Sequence, residues 1–478
     1  MTTSHDLVTK LWRLCTLLRK DGVTYPQYVT ELTYLIFLKL AQRRISAGKA
    51  SPLGTEWQKI VDAPDKDVLH IYKKTLSSLG TNAREPLVRT IFEGAQTVVR
   101  DPLTLRRLVA AIDGATWSSD DGDLFGDAYE GLLQKNAEET KRGAGQYFTP
   151  RLLVDAIVRL MKPSPGETIQ DPAAGTGGFL IAVKRDMEES ETPGTRKTSY
   201  RGVENVADTY RLLCMNLYLH GINPTGMFMG DTLSPLGQQE ILGNADLILS
   251  NPPFGASGGP PTRDDLTITA RSTTFQLPFV EHCMRALAPG GRAAVIVPDN
   301  ILFDGGRGRT LRQELMKAYE LHTILRLPTG IFYAQGVRTN VLFFNRPLSR
   351  PEGDATCNVW IYDLRANGAP GKRGTAGLAP GLALFVKAYG MDPRGHAKRL
   401  DEGPEGRFRC FSREEIRMRD DDLYVTWLKE SDDIDEGLEF AAPDAVASVV
   451  EQHLVFALDE IKALMADLVE DTIDNDGP

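Results

Sequence analysis

The residues Asn251-Pro252-Pro253-Phe254 directly follow the apolar run Ala245-Asp246-Leu247-Ile248-Leu249-Ser250, and their types suit one uncommon task. A residue before a proline is pushed into extended backbone, which restricts both Asn251 and Pro252. Neither Pro252 nor Pro253 has an N–H, so the turn cannot easily satisfy its own carbonyls. The Asn251 side-chain oxygen and the Pro252 carbonyl are then left to accept from one exocyclic amine. Phe254 follows closely enough to stack on the flat ring that carries it. The arrangement suits methyl transfer to a planar NH2 group such as adenine N6. Read alone, the tetrapeptide is also compatible with a strand ending in a proline-rich loop.

A methyl donor needs its own site upstream. Asp171-Pro172-Ala173-Ala174-Gly175-Thr176-Gly177-Gly178 follows Thr168-Ile169-Gln170 and opens a helix-like run from Phe179 to Met187. An acid, a small-residue loop and a helix start form the first βα turn of a doubly wound sheet. Gly175 and Gly177 allow close backbone approach, Asp171 can accept from a ligand amino group, and Ala173 and Thr176 complete the candidate loop. Such a loop can equally serve a nicotinamide cofactor, although its spacing is not G-x-G-x-x-G. Tyr200 to Glu204 reads as the second strand, with Glu204 placed to grip two ribose hydroxyls. Gly230-Asp231-Thr232 follows Met227-Phe228-Met229, so Asp231 and Thr232 end a third strand where an adenine amine would sit. Singly, each acid reads as a solvated strand terminus. Three in order ahead of Asn-Pro-Pro-Phe read as a nucleoside-binding edge.

In this order the motifs resemble those of amino-group DNA methyltransferases that use S-adenosylmethionine. Gly145-Gln146-Tyr147-Phe148-Thr149-Pro150-Arg151 narrows the likeness. It lies where one group of N6-adenine methyltransferases carries the segment that packs over the cofactor methionine. With its helical N-terminal region, the chain resembles the modification subunit of type I restriction–modification systems, from about Asp6 to the C-terminal helix. It departs over Asn367 to Pro393, where a Gly/Ala/Pro-rich stretch stands in place of more polar sequence.

The resemblance implies a Rossmann-like α/β methyltransferase domain, its sheet mostly parallel with one antiparallel strand. It also implies S-adenosylmethionine as cofactor, no metal, and site-specific methylation of a flipped adenine. Asn251, Pro252, Pro253 and Phe254 would be catalytic. Gln146, Tyr147, Phe148, Thr149, Pro150 and Arg151 would join the glycine loop, Glu204, Asp231 and Thr232 around the cofactor, with Tyr147 and Phe148 also near the flipped base. The implied partners are double-stranded DNA and a specificity subunit carrying two copies of this chain, with a restriction subunit where the system has one. Protein glutamine and RNA guanine methyltransferases also use Asn-Pro-Pro-aromatic, but usually lack a segment like residues 145–151 and so long a helical region before the glycine loop. A self-sufficient DNA methyltransferase would need a target recognition domain, for which residues 347–431 leave little room. From another class, the chain could be a non-catalytic DNA-binding subunit. Intact Asn251, Phe254, Asp171 and Glu204 weigh against that.

Four regions must position these residues. Residues 1–142 read as helical: Leu7, Leu11, Leu14 and Leu18 recur at helical spacing, and further helices are expected over Val29–Leu40, Asp65–Ser78, Glu85–Thr97 and Leu103–Ile112. His5 and His70 read there as surface or packing residues. Residues 143–346 alternate strands with helices, with strands at Thr168–Gln170, Tyr200–Val203, Met227–Met229, Ala245–Leu249, Ala293–Val297, His322–Arg326 and Val341–Asn345. Residues 347–431 read as a mixed extension. Residues 432–478 form an acidic tail with a helix from about Pro443 to Asp471, whose stripe of Val446, Val450, Leu454, Ala457, Ile461, Leu464 and Leu468 approaches a coiled-coil seam. That seam suits either intramolecular packing or a protein partner. Gly255–Pro261 and Asp304–Arg309 are expected as loops able to close over a substrate, with Arg307, Arg309 and Arg312 meeting phosphate.

Charge and composition narrow the setting. The 478 residues carry a net charge of −9, which looks unsuited to DNA. The acidic tail alone holds 14 acids and one lysine, leaving the rest of the chain at +4. Between Arg263 and Arg350 there are 12 basic and 7 acidic residues, a modest balance for a dedicated DNA reader. The five cysteines include no CxxC pair, which fits reduced thiols and argues against structural zinc. Neither a signal peptide nor an apolar stretch of spanning length is evident, so a cytoplasmic protein without a membrane segment is expected.

Overall fold

The computed structural model describes residues 13, 25–46, 53–114, 131, 149–188, 197–329, 331–332, 338–365 and 375–428. The chain divides into two compact units. One holds residues 1–144, 175–177 and 206–229, and the other holds 145–174, 178–205 and 230–478.

The first unit is built on helices α1 (Tyr25–Ser46), α2 (Glu56–Val61), α3 (Val68–Asn82), α4 (Pro86–Phe92) and α5 (Pro102–Asp113). The middle of α1 is buried on every side, so it is the central element, with Leu32, Leu35, Ile36 and Phe37 in the core. Its ring Tyr34 stacks on Phe92 at 5.4 Å between centroids. A proline at the first helical position and an acid before it set the start of α5, where Asp101 accepts from the Thr104 N–H at 2.8 Å. The buried Glu31 carboxylate in α1 accepts from Thr97 Oγ1 and Val98 N, yet burial still holds it above the usual carboxylate range. Helix α8 (Ala207–Leu219) belongs to this unit, with Cys214 and Met215 in the same apolar core, and so does the short strand β3 (Met227–Met229).

The second unit is organised by eight strands of a nine-stranded sheet. They are β1 (Thr168–Asp171), β2 (Ser199–Glu204), β4 (Ala245–Ser250), β5 (Leu287–Pro298), β6 (Glu320–Leu327), β7 (Thr339–Asn345), β8 (Asn358–Asp363) and β9 (Phe408–Ser412), in spatial order β2-β1-β4-β5-β7-β6-β8-β9. Parallel pairing joins β2, β1, β4 and β5, and β7 enters antiparallel between β5 and β6. The mostly parallel sheet with its antiparallel strand is therefore as expected. Residues 347–431 extend that sheet: β8 lies parallel to β6, and β9 adds a second antiparallel strand. Helices α6 (Arg151–Met161), α7 (Gly178–Glu188), α9 (Gln276–Ala286), α10 (Gly306–Ala318), α11 (Thr375–Tyr389) and α12 (Arg413–Arg417) accompany it. The centre of β4, Leu247–Ser250, is fully buried, which is why it reads as a continuous apolar run.

Two local expectations change. Residues 304–309 are not an open loop, because α10 starts at Gly306 and Asn300 Nδ2 donates to Asp304 Oδ2 at 2.8 Å. The strand expected over Ala293–Val297 starts earlier, at Leu287, and takes in Pro289-Gly290-Gly291-Arg292 as part of β5. Within it, buried Arg292 donates to the Met161 and Lys162 carbonyls at the end of α6 and pairs with Glu167 at 2.7 Å. Those carbonyls have no intrahelical donor, and a fixed cation is the natural cap. The acidic tail, including Pro443–Asp471, lies outside the described residues, as do His5 and Gly368–Gly374. Among the described residues no helix is long and apolar enough to cross a membrane.

Arg292→Ala leaves a half-buried carboxylate and two helix-end carbonyls without their donor, and leaving such a group unsatisfied costs about 1–3 kcal/mol. Urea unfolding is expected to show a loss of that order. A loss below about 1 kcal/mol would mean the cap is dispensable.

Candidate active site

After β1 the chain runs outward to β2 and then returns to place β4 on the other side of β1. Neighbouring parallel strands whose connections leave in opposite directions open a crevice beyond their carboxyl ends. Asp171 ends β1 and Ser250 ends β4, so both border that crevice, and Ser250 Oγ donates to Asp171 Oδ1 at 2.8 Å. The same oxygen accepts from the Ala173 N–H at 3.1 Å. Burial pushes the Asp171 carboxyl up to about 7; these two donors oppose that, and the charge of Glu204 adds to it.

The donor loop follows at once. Gly175 and Gly177 adopt positive φ of 54° and 88°. A Cβ on Gly177 would lie 2.9 Å from Leu213 Cδ1, so that position is closed to side chains sterically as well as conformationally. The Ala174 N–H donates to the Val203 carbonyl, and the Gly230 N–H donates to the Glu204 carbonyl at 3.0 Å. These bonds bring the loops after β1 and β3 to the end of β2. Glu204 is half-buried there, and exposed Asp231 accepts from the Leu233 N–H at 2.8 Å. The Thr232 hydroxyl is directed to the Pro172 carbonyl at 2.5 Å, so it ties two loops together.

Asn251 begins where β4 ends. It is half-buried, as are Pro253 and Phe254, while Pro252 is buried. Asn251 Nδ2 donates to Thr149 Oγ1 at 3.0 Å. Pro150 is the residue just before α6 and Arg151 its first residue, half-buried. Gln146, Tyr147 and Phe148 lie outside the described residues.

The stretch after Phe254 is strapped down rather than loose. Its Gly255 N–H donates to Gln276 Oε1, its Gly255 carbonyl accepts from the Phe275 N–H, and the Ser257 N–H donates to the Thr273 carbonyl. Further on, Arg263 is buried. It pairs with Asp265 and donates through Nη1 to the Thr232 carbonyl at 3.0 Å and to His282 Nδ1 at 2.8 Å. A guanidinium only donates, so His282 Nδ1 must accept and its proton must sit on Nε2. Burial and then the Arg263 charge hold His282 neutral, with its pKa down near 3. The Gln170 amide lies 3.4 Å from His282 Nε2, and its oxygen, not its nitrogen, belongs on that side. That orientation also supplies the buried Gln170 Oε1 with the donor it otherwise lacks.

Asp171, Ala173, Glu204, Asp231, Thr232, Thr149 and the Asn251–Phe254 motif thus belong to one unit, at the carboxyl edge of β1, β2 and β4 and the loops that border it. Gly175, Thr176 and Gly177 group with the helical unit, where the Thr176 carbonyl accepts from the buried Asn216 at 2.8 Å. Ser250, Gln276, His282 and the bracing role of Arg263 had no signal in the sequence beyond polar residues beside apolar runs. Four of the twelve basic residues between Arg263 and Arg350 are internal. Arg263, Arg292, Arg312 and Arg326 are buried and bonded to protein oxygens. Arg312 therefore does not meet phosphate: it donates to the Asp421 and Ile301 carbonyls. Exposed Arg309 pairs with Asp420 at 3.0 Å. Among the described residues no cluster could hold a metal ion.

The chain is similar to known DNA methylases. The N-6 DNA methylase family model matches residues 120–435. The chain is 41% identical to the methylase subunit of the type I restriction enzyme StySPI from Salmonella potsdam, over 97% of this chain and 96% of that one. It is 40% identical, with the same coverage, to the methylase subunit of the type I enzyme EcoKI from Escherichia coli K12. A chain in a structure of a type I R-M system, solved to explain complex assembly and conformational transition, superposes with a TM-score of 0.74 at 25% identity, covering all of both chains.

The folded-state pKa of Asp171 stands above its unfolded value of 3.8, so its contribution to stability is full below about pH 4 and is lost as pH rises through about 7. Asp171→Asn removes the buried charge at nearly constant shape. The variant is expected to gain in melting temperature over the wild type at pH 8 and to lose that advantage at pH 5. An equal difference at both pH values would contradict a strained carboxylate.

Proposed function

We propose that this chain, which belongs to the N-6 DNA methylase family as a methylase subunit of a type I restriction enzyme, presents a flipped adenine to its methyl donor through Asn251, Pro252 and Phe254. Its activity is that of an adenine-specific DNA methyltransferase; the proposal concerns the residues that carry it. The observation that supports it most is the hydrogen bond from Ser250 to Asp171, which sets the residue before the amine-binding motif against the acid that opens the donor loop.

The donor set fits S-adenosylmethionine. Carboxylates at Asp171, Glu204 and Asp231 suit a ligand rich in hydroxyl and amino donors, and the glycines leave room for close backbone approach. Glu204 would take the ribose hydroxyls, Asp231 the adenine amine, and the Asp171 region the methionine end, with the 146–151 segment packing above. When bound, the cofactor supplies an electrophilic methyl group on a cationic sulfur.

The chain's own residues would do the rest. The adenine amine is a weak nucleophile because its lone pair delocalises into the ring. Acceptance of its two N–H bonds by Asn251 Oδ1 and the Pro252 carbonyl draws the nitrogen towards a tetrahedral shape and localises that pair. Phe254 stacks on the base and offsets part of the few kcal/mol that flipping costs. No strong base is required, in keeping with a neutral, core-bound His282. Holding both reactants on one sheet edge removes most of the orientational entropy from the step.

We further propose that site selection comes from a separate specificity subunit that carries two copies of this chain, with a restriction subunit joining the assembly. Four arginines of the basic span are used internally, and the described part of residues 347–431 is spent on β8, β9, α11 and α12 rather than on a recognition domain.

Asn251→Ala is expected to abolish methyl transfer while leaving cofactor affinity, measured by calorimetry, largely intact. Phe254→Ala should lose activity through poorer base capture, stacking being worth about 1–3 kcal/mol, and Phe254→Trp should keep most of it. Near wild-type methylation by Asn251→Ala would remove the basis of the assignment. Purified alone with S-adenosylmethionine, the wild-type chain should show little sequence-dependent methylation. Robust site-specific activity from the lone chain would refute the need for a specificity partner.

A further inference from the structure

We propose that Thr149 is a positioning residue for methyl transfer: its hydroxyl holds the Asn251 carboxamide in the one orientation that presents the oxygen to the target amine. This rests on the acceptor role given to Asn251 above. The contact is direct, Asn251 Nδ2 donating to Thr149 Oγ1 at 3.0 Å across 102 residues of sequence. It joins two backbones already stiffened by proline, since Thr149 precedes Pro150 and Asn251 precedes Pro252. Pro150 is buried and its carbonyl accepts from the Leu153 and Val154 N–H groups at the start of α6. That helix buries Leu153, Val154, Ile157 and Val158. The Thr149 hydroxyl is thus carried by a helix anchored in the core.

A carboxamide has two ends of nearly equal size and opposite hydrogen-bonding sense. Turned by half a revolution, Asn251 would present N–H donors to an amine that is itself a donor. The backbone of Asn251 does not choose between the two, because the terminal side-chain torsion is broad and roughly two-fold. A hydroxyl can accept or donate, so Thr149 makes the choice as the acceptor it is in this structure, with its own proton turned away from Asn251. Donation from Nδ2 also polarises the amide and strengthens Oδ1 as an acceptor, as in any chain of hydrogen bonds. The likeness of residues 146–151 to a cofactor-covering segment groups Thr149 with the cofactor; its bond groups it with the amine-binding motif.

The test uses the methyltransferase complex purified with its co-expressed partner subunit, acting on duplex DNA that carries its recognition sequence. Thr149→Val removes the hydroxyl at nearly constant shape, and Thr149→Ser keeps it. The valine variant is expected to lower kcat roughly tenfold or more. Its KM and calorimetric Kd for S-adenosylmethionine should stay within about twofold of wild type, and the serine variant should recover most of kcat. An unchanged kcat in the valine variant overturns the proposal, as does a serine variant as slow as valine. Loss of cofactor affinity in the valine variant also overturns it and returns Thr149 to the cofactor. Asn251→Ala is measured alongside: if that variant stays active, the acceptor role itself has failed, whatever Thr149 does.

Discussion

The hydrogen bond between Ser250 and Asp171 joins the ends of β4 and β1, and most of the site depends on it. These strands flank the point where the sheet's winding reverses, the one place where neighbouring strand ends open onto a crevice. The loop after β1 is rich in glycine and cannot hold its own shape. It is held by Asp171 to the Ala173 N–H, by Ala174 to β2 and by Thr232 to Pro172. The motif after β4 is stiffened by its prolines instead. One serine hydroxyl therefore sets a rigid amine-binding motif beside a loop that needs bracing. The carboxylate bears the electrostatic cost, since burial has pushed it up to about 7.

Behind this edge lies a buried polar network. Arg263 gathers Asp265, the Thr232 carbonyl and His282 into one buried set, and Gln170 in β1 continues it. It ties the segment after Phe254 to the loop that carries Asp231. A guanidinium suits the task because its five donors lie in a fixed plane and reach several oxygens at once. The same economy recurs at Arg292, which caps α6, and at Arg365, which gathers Asp299, Thr339 and Leu327 at the far strand ends. Some of the basic residues that look in sequence like a phosphate-binding surface, Arg263, Arg292, Arg312 and Arg326, instead hold protein oxygens in the interior.

Much of the fold was readable because buried parallel strands write themselves as short apolar runs between helical stretches. All seven strands from Thr168 to Asn345 appear where expected, lengthened by a residue or more except at Met227–Met229. The strands β8 and β9 were not readable. Asn358–Asp363 and Phe408–Ser412 are short, mix polar with apolar residues and are separated by a helix; β8 forms on the open edge of β6, and β9 on that of β8. Likewise, nothing in the alternation of strand and helix tells that α8 shares its core with α1, because its apolar face would serve either unit.

What the sequence determined by itself is chemistry that is local in the chain. Asn251-Pro252-Pro253-Phe254, the Asp171–Gly178 loop and the strand-end acids Glu204 and Asp231 each carry their meaning in a few adjacent residues, since proline and glycine act on the backbone next to them. What only the tertiary structure decided is which of these groups meet, and which charges are spent on meeting. Ser250 with Asp171, Thr149 with Asn251 and Arg263 with His282 lie 79, 102 and 19 residues apart. A hydrogen bond needs its partners within about 3 Å, a condition that no spacing along a chain can express once the connection between them is a folded sheet.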